Sequence, residues 1–135
     1  METEKDINEV TSNLRNLQGF DSQAFNNLLS DTSQAVTLRI LARFQVSIED
    51  AIKTIEKGLN ENTSEEIWKA CHKLTGSADL LGFKSFGEHS RTLDVKLKNT
   101  NALAESRTDV VKFIEAARAV SFAISASSPQ LKNYL

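Results

Sequence analysis

One proline, Pro129, and five glycines in 135 residues leave this chain with almost nothing that interrupts a helix. Apolar residues recur at three- and four-residue steps along the proline-free stretch, which is the period of a helix face. Ile7, Val10, Leu14 and Leu17 mark a first helix, capped by Thr3 and closed by Gly19. Asp21 caps a short second helix that carries Phe25, Leu28 and Leu29 and ends near Thr32. The third helix is the longest, from about Ser33 to Leu59, with Val36, Ile40, Phe44, Ile48, Ile52, Ile55 and Leu59 on one face. Asn60-Glu61-Asn62 breaks it, and Thr63-Ser64-Glu65-Glu66 has the form of a capping box that opens the fourth.

Phe86, Ser90, Leu93 and Leu97 mark a fifth helix that stops at Asn99-Thr100-Asn101. A sixth begins near Ser106-Arg107-Thr108-Asp109 and shows Val110, Ile114, Ala117, Ser121 and Ile124. Ser125 to Pro129 reads as a frayed end, after which Leu131, Tyr134 and Leu135 can dock. Short connections join antiparallel neighbours, so the expected fold is all-α. It is an antiparallel up-down-up-down four-helix bundle with one or two extra N-terminal helices. The chain divides into an N-terminal helical extension (1–32), the bundle (33–126) and a C-terminal tail (127–135).

Bulk properties exclude several functions. A net charge of -2 and a pI of about 5.7 give no basic footprint for nucleic acid or an anionic membrane. With 40% hydrophobic residues and a mean hydropathy of -0.31, the chain has no apolar run near the ~20 residues that span a bilayer. Cys71 is the one cysteine, and with His72 and His89 it falls at no metal-ligand spacing, so no metal site is expected. The N-terminus lacks the basic-then-apolar pattern of a secretory signal, and the expectation is a cytoplasmic monomer.

The fourth helix carries the chemistry. At about 100° per residue, Ile67, Cys71, Leu74, Ala78 and Leu81 fall in one core-facing sector. His72 lies on its shoulder, with Trp68, Thr75, Gly76 and Asp79 on the same side. Helical side chains lean toward the N-terminus, so residue i+4 covers the patch above residue i. Here that residue is Gly76, and the imidazole is left uncovered. A glycine inside a helix costs about 1 kcal/mol relative to alanine. The space serves either a neighbouring helix or an incoming reactant, and spacing does not separate the two.

His72-Lys73-Leu74-Thr75-Gly76-Ser77-Ala78, followed by Leu81-Gly82, resembles the His-x-Leu-Lys-Gly-Ser-(Ser/Ala)…Leu-Gly signature of histidine-containing phosphotransfer (HPt) domains. The resemblance covers roughly residues 33 to 124 and extends to Leu93-Asp94, where the family often has Leu followed by Glu or Gln. It implies a four-helix bundle that is a phosphoryl carrier rather than an autonomous enzyme. His72 would accept a phosphoryl group through Nε2 from a receiver-domain aspartate and pass it to another receiver. The partners implied are response-regulator receiver domains and a hybrid histidine kinase. No cofactor is expected in this chain, and Mg²⁺ belongs to the partner receiver.

Two departures from the family pattern stand out. Thr75 takes the place of the usual lysine, so Lys69, Lys73 and Arg91 are the candidate substitutes for its charge, although Lys73 points about 100° from His72 and Arg91 can pair with Asp94. Asp79 and Asp94 put two carboxylates near the ring, where they can orient Nδ1-H but repel a phosphoryl group. The candidate docking ring is Trp68, Lys69, Thr75, Gly76 and Asp79, with Gly87 and Arg91 from the next helix. His89 reads as a core-flanking residue. The alternative function is a non-phosphorylated helical adaptor that binds a receiver domain or a histidine kinase, which Thr75 favours. An unrelated bundle displaying His-x-x-x-Gly is a third reading, which a buried His72 would support.

Overall fold

The structure, a computed structural model, describes residues 2–98 and 103–135. Six α-helices carry the described residues: α1 (Thr3–Leu14), α2 (Ser22–Asp31), α3 (Gln34–Glu61), α4 (Ser64–Leu81), α5 (Lys84–Lys98) and α6 (Leu103–Ser127), followed by a 3-10 helix (Leu131–Tyr134). Among the described residues there is no strand, and one isolated bridge joins Phe20 to Phe83. α3 to α6 form the four-helix bundle, each touching its chain neighbours while α6 closes back on α3.

Local chemistry sets the helix ends. Asp21 caps α2 as expected, its carboxylate accepting from the amides of Gln23 (3.0 Å) and Ala24 (3.2 Å). Ser33 caps α3 through Val36 N (3.1 Å). Thr63, by contrast, makes no side-chain cap. Its own amide closes α3 by donating to Gly58 O (2.9 Å), with Asn62 before it in the left-handed region, so no free N–H remains for Glu66 to reach back to. Thr3 lies inside α1, whose N-cap is Glu2 without a side-chain bond, and α1 ends at Leu14, short of Gly19.

α4 ends the way α3 does. Gly82 sits at φ 99°, and the amide of Phe83 donates to Ala78 O (2.8 Å). A side chain at 82 would be strained and would also strike the backbone oxygen of Asp21, whose amide donates to Gly82 O (2.7 Å). The α1–α2 connection is thereby pinned to the α4–α5 turn. Phe20, Phe25, Phe83 and Phe44 fill the space beneath it, ring to ring at 5.4–5.9 Å.

Two expectations change, one about a helix face and one about a helix start. In α3, Val36 is exposed and Ile40 half-buried, while Thr37, Leu38, Leu41 and Ala42 are buried. A strict four-residue step drifts about 40° per step on a helix of 3.6 residues per turn, so Val36 is nearly opposite Ile52. α6 begins at Leu103, not near Ser106, and the polar run bonds across the bundle from inside the helix. Arg107 donates to Leu59 O (3.0 Å) at the end of α3, and Asp109 accepts from Lys96 of α5 (2.7 Å). The expected stop of α5 at Asn99-Thr100-Asn101 lies outside the described residues.

The chain ends pack into the same core. Ile7, Val10 and Leu14 of α1, Phe25 and Leu28 of α2, and Leu131 and Tyr134 of the 3-10 helix all belong to it. The segment Ser125 to Pro129 is helical through Ser127, with Ser127 and Ser128 buried, while Leu135 is exposed. Asn13 Nδ2 donates to Ser127 O (2.9 Å), and Tyr134 Oη donates to the buried Asp6 carboxylate (2.6 Å).

Burial, reinforced by the Asp6 carboxylate, pushes the Tyr134 phenol above its ordinary value of 10.0. A raised acid favours its neutral form in the fold, so its stabilisation is complete below about pH 10 and fades as pH rises past it. Tyr134→Phe leaves Asp6 buried without this donor and should lower the unfolding free energy by about 1–3 kcal/mol in denaturant titrations near neutral pH. The deficit relative to wild type should shrink above pH 10.

Candidate functional site

α4 and α5 are joined by only Gly82 and Phe83, so they run antiparallel in close contact. Polar side chains meet along the seam between them. Cys71 is fully buried and His72, 100° further round, reaches the rim with 63% of its side chain exposed. Its Nδ1 lies 3.0 Å from Asp94 Oδ2. Trp68, one turn earlier, stacks on the imidazole with centroids 5.3 Å apart and planes at 27°. The ring is therefore held on one face and at one nitrogen.

An ionised carboxylate only accepts, so Nδ1 is the protonated nitrogen and in the neutral ring the lone pair falls on Nε2. Among the described residues Nε2 has no hydrogen-bond partner. Asp94 is mostly buried, and among the described residues neither its second oxygen, Oδ1, nor the buried indole N–H of Trp68 has a partner. A positive charge developing on the imidazole is thus met by a carboxylate that, among the described residues, has no competing cation bonded to it.

Gly76 lies one turn beyond His72 and is exposed; a Cβ built there meets nothing within 4 Å. No neighbouring helix needs the glycine, which leaves the outer side of the helix as the direction it opens. Gly87 differs, because a Cβ there collides with the Asp79 carboxylate. Asp79 sits against the α5 backbone at Gly87 and pairs with Arg91. Arg91 therefore does not pair with Asp94, and Asp79 does not orient the ring.

Thr75 turns away from solvent. Its hydroxyl lies 2.9 Å from Ser90 Oγ and 3.3 Å from Cys71 O, and Ser90 Oγ donates to Cys71 O (2.8 Å). Lys69 pairs with Glu65 (3.5 Å), and with Lys73 it lines a groove against Ser47, Asp50 and Thr54 of α3. The structure thus gathers Trp68, Gly76 and Asp94 around His72 and sets Asp79, Gly87 and Arg91 in a second cluster further along the seam. Lys69 and Lys73 lie on the α3 side. Burial, with Asp94 nearby, pushes the Cys71 thiol up to about 12, which leaves it protonated and unreactive beside the ring. His89 packs edge-on against Phe113 at 5.5 Å. Ser90, a polar residue within an apolar stripe, is the seam residue that periodicity alone hides.

Residues 39–122, well over half of the chain, match the family described as Hpt domain. The match begins in α3, ends in α6 and includes every residue of the seam. No curated protein and no solved structure matches the chain.

The open position at Gly76 has a direct thermodynamic consequence. Gly76→Ala meets no obstacle and removes a helix-interior glycine, so it should raise the unfolding free energy by about 0.5–1 kcal/mol in denaturant titrations.

Proposed function

The chain belongs to the Hpt domain family, and on that premise we propose that His72 is the phosphoacceptor of a relay protein. Hpt domains are phosphoryl carriers in His-Asp phosphorelays and interact with receiver domains. The observation that carries the assignment is the exposed imidazole whose Nδ1 is tied to Asp94, which turns the Nε2 lone pair toward solvent beside the open position of Gly76.

The transfer then balances simply. Nε2 attacks the phosphorus of an aspartyl phosphate on the receiver; the N–P bond forms as the P–O bond to the aspartate breaks, and the electron pair leaves with that carboxylate. The proton on Nδ1 stays in its hydrogen bond, so the phosphorylated ring is cationic and Asp94 balances it. Attack by the aspartate of a second receiver reverses the sequence. The chain supplies position more than chemistry. Neutralisation of the phosphoryl oxygens would fall to the receiver, whose acidic pocket would hold Mg²⁺.

Receiver loops would dock around Trp68 and Gly76, with Asp79 neutralised in advance by Arg91. Upstream of the receiver stands a hybrid histidine kinase, and the protein acts as a cytoplasmic monomer. Among the described residues no helix is long and apolar enough to cross a membrane.

A second reading is favoured by Thr75. With its hydroxyl bound to Ser90, position 75 lends neither charge nor proton to a phosphoryl group, as an adaptor that only binds receivers would tolerate. Incubation with a phosphorylated receiver separates the two. The relay leaves acid-labile, base-stable phosphate on the wild type and none on His72→Gln, with helicity unchanged. Binding without label on the wild type assigns the adaptor, and label retained on His72→Gln removes His72 from the role. In the same assay Gly76→Leu should slow transfer by about tenfold or more, about 1.4 kcal/mol in the barrier, while the fold stays intact. An unchanged rate would mean that the bare spot does not admit the receiver.

A further inference from the structure

The middle of the α4–α5 seam is closed by three groups that share two protons. Ser90 Oγ, fully buried, donates its hydrogen to Cys71 O at 2.8 Å. A hydroxyl has one hydrogen, so the 2.9 Å contact between Ser90 and Thr75 is made with Thr75 as donor. The 3.3 Å approach of Thr75 to Cys71 O is then the weaker alternative for that same hydrogen. Both hydroxyls are used, and the bridge runs from α4 through Ser90 back to α4.

Its location gives it leverage. Cys71 is the residue before His72, and Ser90 is one turn before Asp94 on the same side of α5. Fixing Ser90 against the Cys71 carbonyl fixes how far α5 can slide or rotate along α4. The hydrogen bond between His72 Nδ1 and Asp94, at 3.0 Å and on the exposed rim, depends on that register. An exposed hydrogen bond contributes little by itself. A buried and fully satisfied polar network is stiff and specific. The exposed pair borrows its geometry from the buried one.

We propose that Ser90, with Thr75 as its donor, is a positioning residue that sets the His72–Asp94 geometry and so decides which ring nitrogen carries the proton. The proposal rests on His72 being the phosphoacceptor, and it gives Thr75 a role of its own: the residue standing at the lysine position ties α4 to α5 where the lysine would serve the phosphoryl group.

The test uses the full chain, because α1 and the 3-10 helix share its core. Thr75→Val with Ser90→Ala removes both hydroxyls together, which is close to neutral for stability because the Cys71 carbonyl keeps its intrahelical partner within α4. Ser90→Ala alone and Thr75→Ser, which keeps the hydroxyl, complete the set. Two quantities are read: the share of the Nδ1–H tautomer of His72 from ring ¹⁵N shifts on the neutral imidazole, and the rate of phosphoryl uptake from a phosphorylated receiver. Wild type and Thr75→Ser should show Nδ1–H in excess. In the double variant and in Ser90→Ala, the share should fall toward that of Asp94→Ala, with uptake slowed about fivefold or more, about 1 kcal/mol in the barrier.

An unchanged tautomer ratio and uptake rate in the double variant, whether or not its melting temperature moves, would reduce the bridge to core filling and overturn the proposal. Should the wild type take up no phosphate while the tautomer ratio still responds, the positioning role stands and the relay reading fails instead.

Discussion

Because only Gly82 and Phe83 connect α4 to α5, the two helices have almost no freedom of register. Gly82 at φ 99° turns the chain back on itself, Phe83 closes the last turn of α4, and Asp21 locks the turn from outside. Everything chemical in this molecule is read off the seam that results. Asp79 meets Arg91 near the turn, Thr75 and Cys71 meet Ser90 in the middle, and His72 meets Asp94 toward the open end. The three contacts differ in burial. The middle one is buried, the one nearest the turn is half exposed, and the histidine at the far end has most of its surface in water.

Charge is distributed along that seam in a way that fits a group passing through rather than one being stored. Two carboxylates flank the histidine helix, but Asp79 is already matched by Arg91 and confronts a newcomer as part of a neutral pair. Among the described residues Asp94 is the carboxylate bonded to the ring, and what it favours is positive charge on the imidazole. On the proposed chemistry that is the phosphorylated ring itself, whose cationic character makes it a good leaving group. On the same chemistry the phosphoryl oxygens, with Thr75 turned inward and Lys69 paired with Glu65, would find cations on the partner.

The helical architecture and the place of His72 on a helix shoulder were legible from periodicity, since 3.6 residues per turn puts Cys71 in the core and its neighbour at the rim. What failed has two physical causes. Val36 and Ile40 were placed on the core face of α3 by a strict four-residue step, which drifts around the helix over four steps. Thr63 reads as a cap and the run from Ser106 as a helix start because local sequence shows residue types and not their distant partners. Thr63 is occupied closing α3, while Arg107 reaches the end of α3, 48 residues back in sequence. The bond from Tyr134 to Asp6 spans 128 residues and leaves no local trace at all. Ser90 was hidden for another reason: in an apolar stripe a serine passes as a small core residue, and only its two partners reveal that it is a joint.

Gly76 and Gly87 show how the same residue type answers two different demands on facing helices. At Gly87 the demand is internal, because a Cβ would displace the Asp79 carboxylate and with it the pair to Arg91. At Gly76 no internal demand exists: the position is exposed, mid-helix and empty around the missing side chain. A helix that keeps a glycine there forgoes about 1 kcal/mol relative to alanine without any gain within its own fold. On the proposed function the compensating interaction is with a receiver that approaches from solvent, and one turn away it would meet the Nε2 edge of His72. Stability forgone beside an exposed, oriented imidazole fits that proposed contact.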